Sequence, residues 1–206
     1  MNSQKLNLYL LFFSFLLITS CTDDNSQNGT SNVNRNKIDN VLSITNAEDQ
    51  KIAFRLLNEN EKYTLWTEKL KNIILNDNLN DDQINLINDV LVKMKPIVFS
   101  DFKSDYDEYF TNIISKEFVN NSVKLFTKKQ IREYFFQINM FSRLPGDIGQ
   151  GGDPIPSCNC NNAIIGGWDC DIAYACKKTG VTCGGDYMDC GVFNTSPCDG
   201  ICKFNF

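Results

Sequence analysis

Thiols are the reactive groups this chain carries in density. Residues 157–206 read SCNCNNAIIGGWDCDIAYACKKTGVTCGGDYMDCGVFNTSPCDGICKFNF and hold eight of the nine cysteines: Cys158, Cys160, Cys170, Cys176, Cys183, Cys190, Cys198 and Cys202. An even number at this density, behind an export signal, is the pattern of a disulfide framework. The competing chemistry is metal binding. The chain has no histidine, and no C-x-x-C pair occurs among the eight cysteines. That excludes a Cys-His zinc site and leaves a four-thiolate site only at unusual spacings. The expectation is four disulfides, with no metal and no cofactor.

Spacing limits the pairing. Cys158 and Cys160 are separated by Asn159 alone, so a bond between them closes a very strained ring. Each is expected to reach its own downstream partner and clamp the module's leading edge onto its body. Connectivity stays open, because eight cysteines allow 105 pairings. A segment this short cannot bury enough apolar surface to fold without such staples. A rigid stapled fold can, however, leave aromatics partly exposed for contact with a protein, a glycan or a membrane surface. Trp168, Tyr174, Tyr187, Phe193, Phe204 and Phe206 are the candidate contact residues, Trp168 being the one best suited to fill the small core.

Catalytic chemistry is not expected. Without histidine, Ser-His and Cys-His nucleophiles are excluded. The module's acids, Asp169, Asp171, Asp186, Asp189 and Asp199, stand beside Cys or Gly, where Asp caps turns. There is no calcium loop of the D-x-D-x-D-G type, and Gly166-Gly167 and Gly184-Gly185 fit turns rather than a phosphate cradle.

From Cys160 the next cysteines follow after nine, five, six, six, seven and three intervening residues, and the chain then runs into aromatics. That order, with the short polar and aromatic segments DCDIAYAC and TCGGDYMDC, resembles the cysteine-rich bacteriocin fulvocin C and its relatives. The likeness covers about the last quarter of the chain. Larger proteins with a helical region ahead of such a module are grouped as fulvocin C-related, and this chain looks like a member. The resemblance implies a bacteriocin-like protein whose module acts on a competitor's envelope.

The elements ahead of the module must deliver and hold it. Residues 1–20 read as a signal peptide: Lys5 supplies the charge, and Leu8 to Ile18 supply an apolar run too short to span a membrane. Ile18-Thr19-Ser20-Cys21 looks like a bacterial lipobox, which makes Cys21 the acylated first residue of the mature chain and accounts for the ninth cysteine. Each buried methylene of the lipid contributes about 0.8 kcal/mol to anchoring. Thr22-Asp23-Asp24-Asn25 resembles the acidic tag of surface-exported lipoproteins, which places the protein at the cell surface of the outer membrane, with the periplasmic face as the alternative. Residues 21–40 are polar and are expected to form a disordered tether, reaching about 25 Å on average.

Residues 41–143 show helical periodicity. One short helix is expected from Ala47 to Leu57, with Ile52 and Leu56 inward. A second carries Tyr63, Trp66, Leu70, Ile73 and Ile74. A third is capped by Asn80 with Gln83 and stopped by Pro96, with Ile84, Ile87, Val90, Leu91 and Met94 on one face. Tyr106, Tyr109, Phe110, Ile113, Ile114 and Phe118 mark the next segment, and a Thr127–Gln130 capping box opens the last, which carries Ile131, Tyr134, Phe135, Ile138 and Phe141. These stripes are core positions of a helical bundle. Residues 144–156, LPGDIGQGGDPIP, form a Gly/Pro linker where a protease can cut.

The fold class is thus α plus a small disulfide-rich domain: a helical bundle followed by the cysteine module of 157–206. Residues 41–143 hold 15 acidic and 14 basic residues, and residues 157–206 five Asp against three Lys. Neither part offers a basic footprint for nucleic acid or anionic lipid. The partners expected are the membrane, through the lipid, and a protein, glycan or envelope target. A module displayed only to bind such a target is the reading from a different class.

Overall fold

The computed structural model describes residues 33–138, 160, 174–178 and 188–204; the signal peptide, Cys21 and the Gly/Pro linker lie outside them. As far as Phe135 the described chain is helical, and short strands and disulfides follow. Helix α1 is Arg35–Ser43, α2 Ala47–Arg55, α3 Glu59–Asn76 and α4 Asp81–Lys93. A 3-10 turn at Pro96–Phe99 leads to α5, Asp105–Tyr109. A π-helical turn, Phe110–Ile114, joins α5 to α6, Ser115–Leu125, and α7 is Lys128–Phe135.

The N-termini are written locally. Asn58 with Glu61, Asn80 with Gln83 and Thr127 with Gln130 each form a reciprocal capping box, and Ser104 accepts from the Asp107 amide at α5. Pro96 does stop α4: the helix ends at Lys93, and the proline opens the 3-10 turn.

The C-termini are handled differently. Residues 41–143 contain no glycine, so the usual left-handed glycine cap is missing. Long side chains from other helices fill in. Gln50 donates to the Val41 and Ile44 carbonyls (3.0 and 3.1 Å) at the end of α1. Gln83 donates to the Leu125 carbonyl (2.7 Å) at the end of α6, and the Tyr106 hydroxyl donates to the Lys93 carbonyl (2.5 Å) at the end of α4. Carbonyls that the helices leave unsatisfied thereby become ties between helices.

Three expectations need correction. The tether was expected to run to Asn40, but α1 begins at Arg35 and buries Ile38 and Val41. Their spacing puts an apolar stripe inside an Asn-rich stretch, and Glu61 holds the helix start by accepting from the Asn34 amide (3.2 Å). In α2 the inward residues are Gln50 and Phe54, with Leu57 just beyond its end, while Ile52 and Leu56 face solvent, at 54% and 77% exposure. The polar Gln50 occupies the core face because it caps α1. In the α5–α6 segment Tyr109 and Ile113 also point outward. The π turn widens the helical repeat by one residue, so Ile114 and Ser115 reach the core face in place of Ile113.

One apolar cluster runs through the helices, with Trp66, Leu70, Ile87, Val98, Phe110, Phe118, Ile131 and Phe135 among its members. It also contains Val192 and Phe193, from the cysteine-rich segment, and Val33–Phe206 forms a single compact unit. Strand β1, Tyr174–Lys178, pairs antiparallel with β4, Gly200–Phe204, and β2, Met188–Cys190, pairs antiparallel with β3, Ser196–Pro197.

Candidate functional site: a stapled loop seated in the helical core

Two disulfides are present among the described residues. Cys160–Cys176 has its Cα atoms 5.9 Å apart and Cys190–Cys198 has them 5.1 Å apart, both within the normal span. Cys160 reaches a downstream partner, as the short Cys158–Cys160 spacing requires. Its main chain also forms an antiparallel bridge to Gly200: the Gly200 amide donates to the Cys160 carbonyl (3.0 Å), and the Cys160 amide donates to the Gly200 carbonyl (3.3 Å). Gly200 is therefore wedged between strands and under the bond. A Cβ there would lie 2.6 Å from Cys176 Sγ and 3.1 Å from Cys160 Sγ, which only glycine avoids.

The second disulfide closes a tight loop between β2 and β3. Its backbone enters the left-handed region three times, at Gly191 (φ 76°), Phe193 (φ 56°) and Asn194 (φ 53°). For Phe193 this costs about 1–2 kcal/mol. Within the turn, the Asn194 amide donates to the Gly191 carbonyl (3.2 Å), and the Thr195 hydroxyl donates to the Val192 carbonyl (3.0 Å). What offsets the strain is burial: the Phe193 ring is 0% exposed. It packs edge-on to Trp66 of α3 (centroids 5.5 Å), against Phe118 of α6 (5.2 Å) and edge-on to Phe135 of α7 (6.2 Å). Aromatic pairs in these geometries add about 0.5–1.5 kcal/mol each beyond the area they bury. At the loop's base, β2 packs against α2, and Lys51 Nζ stands 3.8 Å from Cys190 Sγ.

Lys69 braces the seat from α3. Its Nζ lies over the Trp66 ring (4.8 Å to the centroid), donates to the Glu133 carbonyl (2.6 Å) and donates to the Gln137 carbonyl. Burial pushes its pKa down to about 7, opposed by the Glu133 carboxylate. On α7, burial raises Tyr134 to about 12, hydrogen bonding with Asp77 adding to the shift.

The sequence-predicted contact residues divide accordingly. Phe193 is not a surface contact: it is the buried plug of the loop, ringed by aromatic side chains from three helices. Tyr174 and Phe204 stand opposite each other in the β1–β4 register, and Cys176 faces Cys202. Trp168, Tyr187, Phe206, Cys21, Cys158, Cys170 and Cys183 lie outside the described residues. Sequence reasoning missed Trp66, Phe118 and Phe135 as partners of the module, and Lys69 as the brace beside them. The available signal was the Val192-Phe193 pair, an apolar insert in a polar loop, followed by Asn, which tolerates positive φ.

No group of three or more potential metal ligands occurs among the described residues, and none of their helices is long and apolar enough to cross a membrane. No protein-family model matches the chain, and no curated protein or solved structure matches it significantly.

Proposed function

We propose that this protein is an exported lipoprotein, anchored through Cys21, that displays a fulvocin C-like disulfide module on the cell surface for antagonism of neighbouring bacteria. The observation that carries the reading is the order of eight cysteines in 157–206, supported by the Cys160–Cys176 and Cys190–Cys198 bonds. The helical region that begins at Arg35 acts as a bundle that presents the module, and the polar stretch between Cys21 and that helix gives it reach from the outer membrane. The action is binding to an envelope target rather than catalysis, in keeping with a chain that has no histidine.

Co-culture tests the proposal. Producer cells should reduce the viable count of neighbours on contact, and Cys190→Ser should abolish the effect while leaving the lipoprotein in the membrane fraction. Equal survival beside wild-type and deletion strains would sink it. Mass spectrometry of the membrane-extracted protein checks the anchor: an acylated chain starting at Cys21 that gains about eight mass units on reduction is expected.

A second reading, a displayed module that binds a protein or glycan without harm, is favoured by charge. Five Asp against three Lys in 157–206 give the module no attraction to anionic lipid. Saturable binding to cells or glycans with unchanged viability would select it.

A further inference from the structure

The connection between the helices and the module is more than the covalent link. Trp66, Phe118 and Phe135 come from three different helices, and all three rings meet Phe193 of the Cys190–Cys198 loop. Every described side chain from Val192 to Ser196 is buried. The loop takes two non-glycine residues into the left-handed region to deliver that ring. Isolated loops do not hold such a conformation without a surrounding surface that fixes it. The seat is tied across α3 and α7 by Lys69.

We infer that the helical region is a receptor for the disulfide-closed loop, and that it keeps the cysteine module bound after the chain between them is cut. The surface is the aromatic seat of α3, α6 and α7; its occupant is the chain's own loop, with Phe193 as the anchor. Like other hot spots, the anchor is a central, fully desolvated aromatic. Proteolysis in 144–156 therefore yields a nicked complex at the membrane rather than a diffusible peptide. Release needs a second event that unseats Phe193. The inference holds equally for an antagonistic and for a harmless module.

A site-specific protease sequence inserted between Gly151 and Gly152 of the full chain provides the test. After cutting, with disulfides intact, the two fragments should elute together from a sizing column in native buffer and separate in urea. The same cut in Phe193→Ala should weaken the complex about a hundredfold or more, the range expected for truncating a buried phenylalanine. Uncut Phe193→Ala is checked first for helical circular dichroism and for its mass gain on reduction; if either is lost, Phe193→Leu replaces it, with a smaller weakening expected. Separation of the wild-type fragments in native buffer would overturn the inference. So would a nicked Phe193 variant that holds together as tightly as wild type.

Discussion

The helical region and the cysteine-rich segment solve the same problem with opposite materials. Residues 33–138 contain neither glycine nor cysteine, whereas 157–206 hold eight cysteines and seven glycines. The helices bury an apolar stripe and close their C-termini with side chains borne on other helices, such as Gln50 and Gln83. The cysteine segment instead fixes its backbone with covalent bonds and with glycines that allow strands to approach a disulfide. The difference teaches that stapling fixes a shape but does not by itself supply a core. Val192 and Phe193 complete their burial in the core of the helices.

If that is right, damage in the stapled loop must be felt by the helices. Phe193→Ala should destabilise the protein by about 3–5 kcal/mol. The loss should appear in the urea transition followed by helical circular dichroism, although the substitution lies far along the chain from α1–α7. A helical transition that does not move would separate the two regions and break the comparison.

The next effect concerns the brace beside that seat. Lys69 has its pKa lowered from 10.5 to about 7 by burial. Below pH 7 both folded and unfolded chains hold the proton, and the folded state carries the full cost of burying the charge. Between pH 7 and 10.5 the unfolded chain keeps a proton that the folded chain has released, so stability rises with pH, by up to about 1.4 kcal/mol per unit. Urea midpoints of wild type and Lys69→Met at pH 6, 8 and 10 check the sign: wild type should gain on the variant as pH rises.

Gly200→Ala probes the other material. The added Cβ meets Cys176 Sγ at 2.6 Å, a disulfide sulfur that cannot swing away. Overpacking of this kind costs about 1–3 kcal/mol. The variant should refold with a lower yield of the Cys160–Cys176 bond, measured by peptide mapping without reduction. Full bond formation at wild-type stability would show that the strand pair has slack.

How much of this was legible depends on the distance over which the signal is encoded. The capping boxes at Asn80 and Thr127, and the stop at Pro96, were readable because their signals lie within one turn; the box at Asn58 with Glu61 is just as local but was missed. The start of α1 was hidden by composition: Ile38 stands alone among Asn, Lys and Asp, and the next apolar pair, Val41-Leu42, falls at the edge of the polar stretch. Ile113 was misassigned because a π turn changes the period without changing the residue types. The role of Phe193 was illegible for a stronger reason. Its partners are Trp66, Phe118 and Phe135, and no local period connects residues so far apart. The sequence pattern marked the cysteines as staples but gave no sign of what the stapled loop would fit into.

The smallest effect isolates the helical material on its own. Gln83 makes two hydrogen bonds with opposite ends of its amide: the oxygen accepts from the Asn80 amide (3.0 Å), and the nitrogen donates to the Leu125 carbonyl (2.7 Å). Gln83→Ala removes both and should cost about 1–2 kcal/mol. Gln83→Glu separates them. A carboxylate still accepts at Asn80 and gains from the positive end of α4, but it cannot donate and turns its charge toward the Leu125 carbonyl. If the tie across to α6 carries most of the stability, Glu should be as damaging as Ala in thermal unfolding. If the local cap dominates, Glu should restore most of the loss. Neither substitution should alter the rate at which the disulfides are reduced in native buffer, since Gln83 touches neither the loop nor the three rings around Phe193. That contrast with Phe193→Ala is the sharpest way to show which contacts join the two regions and which belong to the helices alone.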